Sequence, residues 1–303
     1  MTRTTNVFDD HPQNMSIEGG KITGTISAAL AAALIIAGCS GRSGNERERP
    51  LLGIDIELFR GSRAWDLAEA VAASDTGRIR VICSEDTSLL HFQEPQYGMT
   101  LLEWAVIRSD YPSAKVLCEA RADPNAQSFD GSSAFIHAAD NNETSQYLRL
   151  LLEHGGDVNA VAMPKPGVTD GATRLKTPLI AAAKSRLESV ALLLDRGADI
   201  NYRDEEFGSA LMSACLLERM DVVHFLVVEK GADFEGVLST TVTGDSLYFS
   251  HYLREMTFTL GSEAHVLKME VADYLEQHGV SYGSTPIPER YIKKYPKEYL
   301  DAY

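Results

Sequence analysis

Two short phrases recur along the chain. One is "LCEARADPN" at 117–125, "LLLEHGGDVN" at 150–159, "LLLDRGADIN" at 192–201 and "LVVEKGADF" at 226–234. Its aligned aspartates, Asp123, Asp157, Asp199 and Asp233, lie 34, 42 and 34 residues apart. The other is "GMTLLEWA" at 98–105, "GSSAFIHA" at 131–138, "LKTPLIAA" at 175–182 and "FGSALMSA" at 207–214. Its hydroxyl residues, Thr100, Ser133, Thr177 and Ser209, lie 33, 44 and 32 residues apart. A unit of about 33 residues, stretched once between Val158 and Lys176, constrains the fold more than any other feature. Such units are supersecondary pieces that bury their apolar faces only by stacking on one another.

Each phrase has a physical meaning. A Thr or Ser before a short apolar run accepts a bond from a free N–H of the first helical turn, and Pro178 suits the first helical position. In "ESVALLLDRG", Val190, Leu193 and Leu194 fall at i, i+3 and i+4, one stripe of a helix. Leu148, Leu151 and Leu152 repeat it, as do Val223, Leu226 and Val227. Gly155, Gly197 and Gly231 then supply a left-handed helix end, and the following Asp and Asn suit a turn. Arg121 stands in the glycine place of the first copy, at a strain of about 1 kcal/mol or with a different helix end.

The period and the two phrases resemble the ankyrin repeat, with its T-P-L-H-x-A start and G-A-D-x-N finish. The resemblance implies an all-α solenoid of about six helix pairs: four clear copies and two degenerate caps. The N-terminal cap is "RGSRAWDLAEAVAASDTGRIRVICSED" at 60–86, and the C-terminal one is "GDSLYFSHYL" followed by "KMEVADYLEQHGV". The array spans 51–282. "FQEPQYGMTLLEWA" is also similar to bacterial envelope ankyrin proteins. What the resemblance implies for function is protein binding without catalysis.

The front of the chain looks like an address. Residues 22–38, "ITGTISAALAAALIIAG", are uncharged and too short for a comfortable membrane span of about 20 residues. The stretch "IAGC" at 36–39 resembles a bacterial lipobox: small residues admit the peptidase, and the Cys39 thiol takes the lipid. The expected signal peptide is 1–38, with an ordinary secretory signal or a buried helix as the alternative. Asp9, Asp10 and Glu18 are unusual in a signal; a start at Met15 would leave "MSIEGGK" in front of it. Ser40 after the cysteine favours the outer membrane. The polar stretch 39–50 is a tether with a reach of roughly 20 Å. The expected location is the bacterial envelope, lipid-anchored, with the array facing the periplasm.

Charge narrows the partners. The chain carries −15, or −14 without residues 1–38. Such a surface argues against nucleic acid, which is bound through Lys and Arg. It is compatible with a basic protein partner, though simple solubility is the plainer reading. Besides the protein partner, the lipid bilayer is expected to be engaged through acylated Cys39, and a monomer is expected. Cys83 and Cys118 occupy equivalent places on neighbouring units, whose helices stack about 8–10 Å apart. That is too far for a disulfide, so buried thiols are expected.

No nucleophile elbow, P-loop or HExxH motif appears, and the eight histidines form no compact ligand set. No enzyme activity, cofactor or metal is therefore expected. "DNNE" at 140–143 fits a helix-connecting turn better than a cation loop. Candidate partner-binding residues are Trp104, Arg108, Phe129, Asp130, His137, Asp140, Lys184, Tyr202, Glu205, Glu206 and Phe207. Trp104 and His137 hold the x place of the start phrase, which in the family tends to face the groove; Trp104 can instead cover the first cap. Phe129, Tyr202 and Phe207 are aromatics at turns. The tail 283–303 places Tyr291, Tyr295, Tyr299 and Tyr303 four apart around Pro296. It is read as two helical turns laid over the last unit, with partner contact as the alternative. Two biological roles stay open: an immunity-type protein that neutralises a secreted antibacterial toxin, and a scaffold for a resident envelope enzyme.

Overall fold

The repeat phrases become helix pairs. In the computed structural model these are α1 (Trp65–Ala72) with α2 (Thr76–Glu85), α3 (Leu101–Ile107) with α4 (Tyr111–Glu119) and α5 (Ala134–Ala139) with α6 (Gln146–Glu153). They continue as α7 (Pro178–Ala182) with α8 (Leu187–Asp195), α9 (Ala210–Leu216) with α10 (Met220–His224), and α11 (Phe249–Glu255) with α12 (Glu263–Gln277). The structure describes residues 53–168, 177–204, 208–241 and 244–303, all within the compact unit Arg49–Tyr303. The all-α solenoid of six helix pairs expected from the sequence is what forms. Among the described residues the one departure is a two-residue antiparallel ladder, β1 (Ser239–Thr240) with β2 (Ser246–Leu247).

The caps act as their chemistry requires. Thr100, Ser133, Thr177 and Ser209 accept from the amides of Glu103, Ile136, Ile180 and Met212 at 3.2, 3.3, 3.3 and 3.1 Å. Each of these bonds satisfies an amide that has no partner inside its helix. At the other end, Gly155, Gly197 and Gly231 take φ of 93°, 88° and 68°. Arg121 does the same at 73°; the strained alternative is the one adopted.

First helices pack on first helices from α1 through α11. Second helices pack in the sets α2–α4–α6 and α8–α10–α12, and the Arg149–Glu188 pair at 2.8 Å joins the two sets across the stretched unit. Leu148, Leu151, Val190, Leu193, Val223 and Leu226 are fully buried. Cys83, Cys118 and Cys215 are buried free thiols, and burial pushes Cys118 up to about 12.

A side-chain ladder sets the stacking. Asp123, Asp157 and Asp199 each accept the amide two residues on, at 2.9 to 3.0 Å, which closes the turn. The Asn at the end of the phrase then reaches into the next unit. Asn125 accepts from the Asp157 amide and donates to the Gly155 carbonyl, both at 2.8 Å. Asn159 repeats this with Asp199 at 2.8 Å and Gly197 at 3.1 Å, and Asn201 accepts from Asp233 at 2.8 Å. In the fifth unit Glu235 holds the Asn place.

Beyond the array lie α13 (Glu289–Lys294) and α14 (Lys297–Asp301), divided at Pro296. The Tyr291 and Tyr299 hydroxyls donate to the Glu255 and Phe258 carbonyls at 2.7 and 2.9 Å. Tyr295 stacks on Tyr299 at 4.4 Å. Lys268, 0% exposed, donates to the Met256 carbonyl at 2.9 Å, and its Nζ lies 3.4 Å from the Tyr303 ring centroid. Arg254 is buried beside it and donates to the Thr285 and Tyr282 carbonyls at 3.2 Å each.

Candidate functional site

Trp104 departs from the expectation of an exposed groove anchor. It is 1% exposed, because residues 54–57 and Arg108 close over it around a cleft of about 230 Å³. The Arg108 guanidinium lies 4.6 Å from the indole centroid and itself remains exposed. Trp104 thus has the capping place, and the surface above it belongs to Arg108.

His137 meets a residue that the sequence reading passed over. Its Nε2 lies 3.3 Å from Oε1 of Glu103, which is 0% exposed. The Ser128 hydroxyl faces Glu103 Oε1 at 3.0 Å, Asp130 Oδ1 at 2.9 Å and the Ser132 carbonyl at 3.1 Å. One hydroxyl proton cannot serve three acceptors, and Glu103 Oε2 has no partner. The cluster is short of donors and favours a cation. Burial alone would push the His137 imidazole down, but the Glu103 hydrogen bond and charge, with Asp130 and Asp140 adding, hold it above its ordinary value. A signal for Glu103 existed: the other three copies put Ile136, Ile180 and Met212 in its place.

The loops between units form a second surface. Glu94 is buried and accepts from the amides of Gln96, Tyr97 and Met99 at 2.7, 2.8 and 3.0 Å, which folds the first loop. The Phe129 amide donates to the Tyr97 carbonyl at 2.7 Å, and the Lys165 amide to the Phe129 carbonyl at 2.8 Å. Three loop tips therefore line up as a ridge. Lys165 Nζ sits 3.5 Å from the Phe129 ring centroid, a cation–π pair. Phe129 itself is half-buried against Gly98, where any added Cβ would strike its ring. Tyr97, Met163 and Val168 stay exposed.

Other candidates have local duties. Asp130 also accepts from the Ser132 amide at 2.9 Å. Asp140 is exposed at the end of α5, and Ser185 donates to its carbonyl at 2.9 Å. Lys184 is half-buried beside it, and its carbonyl accepts from Arg219 at 3.4 Å. Tyr202 is half-buried; burial, with Asp204 adding, pushes its hydroxyl up. The structure brings His137 and Asp130 together around Glu103, and it leaves Tyr202 at a separate loop. Cys39, Glu205, Glu206 and Phe207 lie outside the described residues. Among the described residues no three His, Cys, Asp or Glu are grouped to hold a metal, and no helix is long and apolar enough to cross a membrane.

Comparisons with known proteins agree with this geometry. A family model of ankyrin repeats in three copies matches residues 102–204 and 164–236. The chain is 32% identical over 202 residues to protein PhlB of Serratia liquefaciens, covering 67% of this chain and 82% of that protein. It is 27% identical over 184 residues to the B-cell lymphoma 3 protein homolog of Mus musculus, of which it spans 38%. Two crystal structures share the fold. EF0377, an ankyrin repeat protein, gives a TM-score of 0.51 at 25% identity, covering 71% of this chain and 98% of that one. The ankyrin repeat domain of Bcl-3 gives 0.50 at 23%, covering 71% and 86%. Helix pairs begun by hydroxyls and tied by asparagines, together with these matches, make the chain a member of the ankyrin-repeat family, whose solenoids are protein-interaction modules.

Proposed function

We propose that the chain is a non-catalytic protein-binding module, held in the bacterial envelope by lipid on Cys39, that neutralises a secreted antibacterial toxin. The observation that carries the binding reading is the ridge of loop tips at Tyr97, Phe129 and Lys165. Its backbone is locked by hydrogen bonds, yet apolar groups of Tyr97 and Met163 stay in water. A rigid edge with exposed aromatic and thioether groups is what a protein interface uses as anchors. The partner is expected to be basic, since the chain carries −15. Arg108, His137, Asp140, Lys184, Tyr202, Glu205, Glu206 and Phe207 remain candidates for further contacts with the same partner. The lipobox-like "IAGC" supports the envelope placement, and the similarity to a Serratia protein supports a bacterial setting.

The experiment is in-cell cross-linking followed by co-purification of the full chain, in wild type and in a Tyr97→Ala, Met163→Asp double variant. Both residues are exposed, so the fold is expected to persist. The expected result is one basic secreted effector, recovered with wild type and lost with the variant, whose toxicity appears when the chain is deleted. Recovery of a resident envelope enzyme would replace the immunity role by the scaffold role. Equal recovery of a partner by both proteins would remove the ridge from the contact. Cys39→Ser tests the anchor separately: the protein should leave the membrane fraction or accumulate unprocessed.

A further inference from the structure

The asparagine ladder stops at Glu235, and a cleft opens where it stops. By the period, the fifth unit's ladder residue should bind the Ser281 amide and the Gly279 carbonyl of the sixth. Glu235 bonds neither among the described residues. A carboxylate has no proton to give a carbonyl, so half of the ladder bond is chemically barred. The result is a cleft of about 540 Å³ bordered by Glu235, Gly279, Ser281 and a cluster of rings. The break in the ladder leaves the Gly279 carbonyl without its ladder donor and the Ser281 amide without its ladder acceptor.

The rings have settled roles. Phe234 meets Tyr274 and His278 edge-on at 6.0 and 6.2 Å, and Tyr274 stacks on His278 at 4.0 Å. His278 Nδ1 bonds the Tyr274 carbonyl at 2.7 Å. A carbonyl only accepts, so Nδ1 carries the proton and Nε2 of the neutral ring is an acceptor. His251, across the cleft, accepts the Tyr248 amide on Nδ1 at 3.2 Å, which places its own proton on Nε2. No Lys or Arg lines the cleft. Besides the hydroxyls of Tyr248, Ser250, Ser281, Ser284 and Thr285, the lining thus offers one carboxylate, one carbonyl, one imidazole acceptor, one imidazole donor and an aromatic wall.

We propose that this cleft receives an arginine side chain from a basic segment of the protein partner, with the guanidinium paired to Glu235 and stacked against the aromatic wall. The reading rests on a basic partner and gives it a second contact, at the C-terminal end of the array. Arginine fits better than lysine: its flat fork presents several donors to Glu235, the Gly279 carbonyl and His278 Nε2 while its face lies on a ring. The net charge of −15 draws such a segment in.

The test is a titration of the ¹⁵N-labelled full chain with acetylated, amidated Gly-Arg-Gly. The control is the same peptide with citrulline, which keeps the shape and loses the charge. The expected result is saturable shifts at the Ser281 amide and the His278 and His251 rings, with a Kd near or below about 1 mM. Citrulline should bind at least tenfold more weakly, and Glu235→Gln, at an exposed position, should weaken the arginine peptide several-fold. Equal binding of the two peptides, indifference to Glu235→Gln, or no shift at these residues overturns the proposal. Because the probe is free of the partner, its failure leaves the ridge contact standing, whereas loss of partner capture by the ridge variant does not touch this titration.

Discussion

His137 and Glu103 face each other across the boundary between the second and third helix pairs, with Nε2 3.3 Å from Oε1. Because the folded imidazole is held above its ordinary value, it keeps its proton where the unfolded one has lost it. The stabilisation is complete below the unfolded value of about 6.5 and fades as pH rises through the folded one. The stability gap between wild type and His137→Gln should therefore be widest near pH ~5 and narrow by pH ~9. Glu103→Gln should flatten the same dependence. Urea midpoints measured across this range decide the matter; parallel curves for wild type and His137→Gln would sink the idea.

Lys268 behaves in the opposite sense. Burial, with the Arg254 charge adding, lowers its amine to about 7. The unfolded chain then binds the extra proton between about 7 and about 10.4, so this group's cost to stability eases as pH rises through that window. Lys268→Met should raise Tm at pH ~7 and lose that advantage toward pH ~10. A variant less stable than wild type at neutral pH would show that the Met256 and Tyr303 contacts outweigh the burial of the charge.

Trp104 is core. Trp104→Ala should cost about 3–5 kcal/mol, in the range of about 2–5 kcal/mol expected for Leu193→Ala. Denaturant unfolding of both variants gives the comparison. A loss under about 1 kcal/mol for Trp104 would mean that residues 54–57 do not hold it shut.

Asn159 contributes through stacking. Asn159→Ala removes two bonds to the next unit at an exposed position, which should cost about 1 kcal/mol. The specific sign is faster hydrogen exchange at the Asp199 amide, with Asp233 unchanged. Uniform acceleration at both would show a global loss instead of a broken rung.

The helix pairs were legible because each rule that sets them is local. A hydroxyl cap, an apolar stripe and a left-handed residue all act within a dozen positions, as Ser133, Leu151 and Gly155 illustrate. Even the strain at Arg121 follows from its place in the phrase. What the phrase did not disclose is where Asn125 and Asn159 point, since a turn-forming Asn and a bridging Asn look alike in one copy. The site was less legible for the same reason. Phe129 was visible as an aromatic at a turn, but its alignment with Tyr97 and Lys165 depends on bonds between loops more than 30 residues apart. Trp104 failed as an exposed anchor because the covering residues 54–57 carry no repeat phrase. Glu103 and Glu235 were missed although each carried a usable signal: a carboxylate where other copies are aliphatic or thioether, and a carboxylate where they carry Asn.

Asn159 reaches Asp199 across 40 positions with the same 2.8 Å contact that Asn125 makes across 32. Register is therefore fixed at the two ends of a loop and is indifferent to its length, and lengthening a loop raises closure entropy only slowly. Recognition and architecture are separable variables in this chain: its edge can be rewritten, as between Val158 and Lys176, while the asparagine rung that joins the flanking units keeps its length.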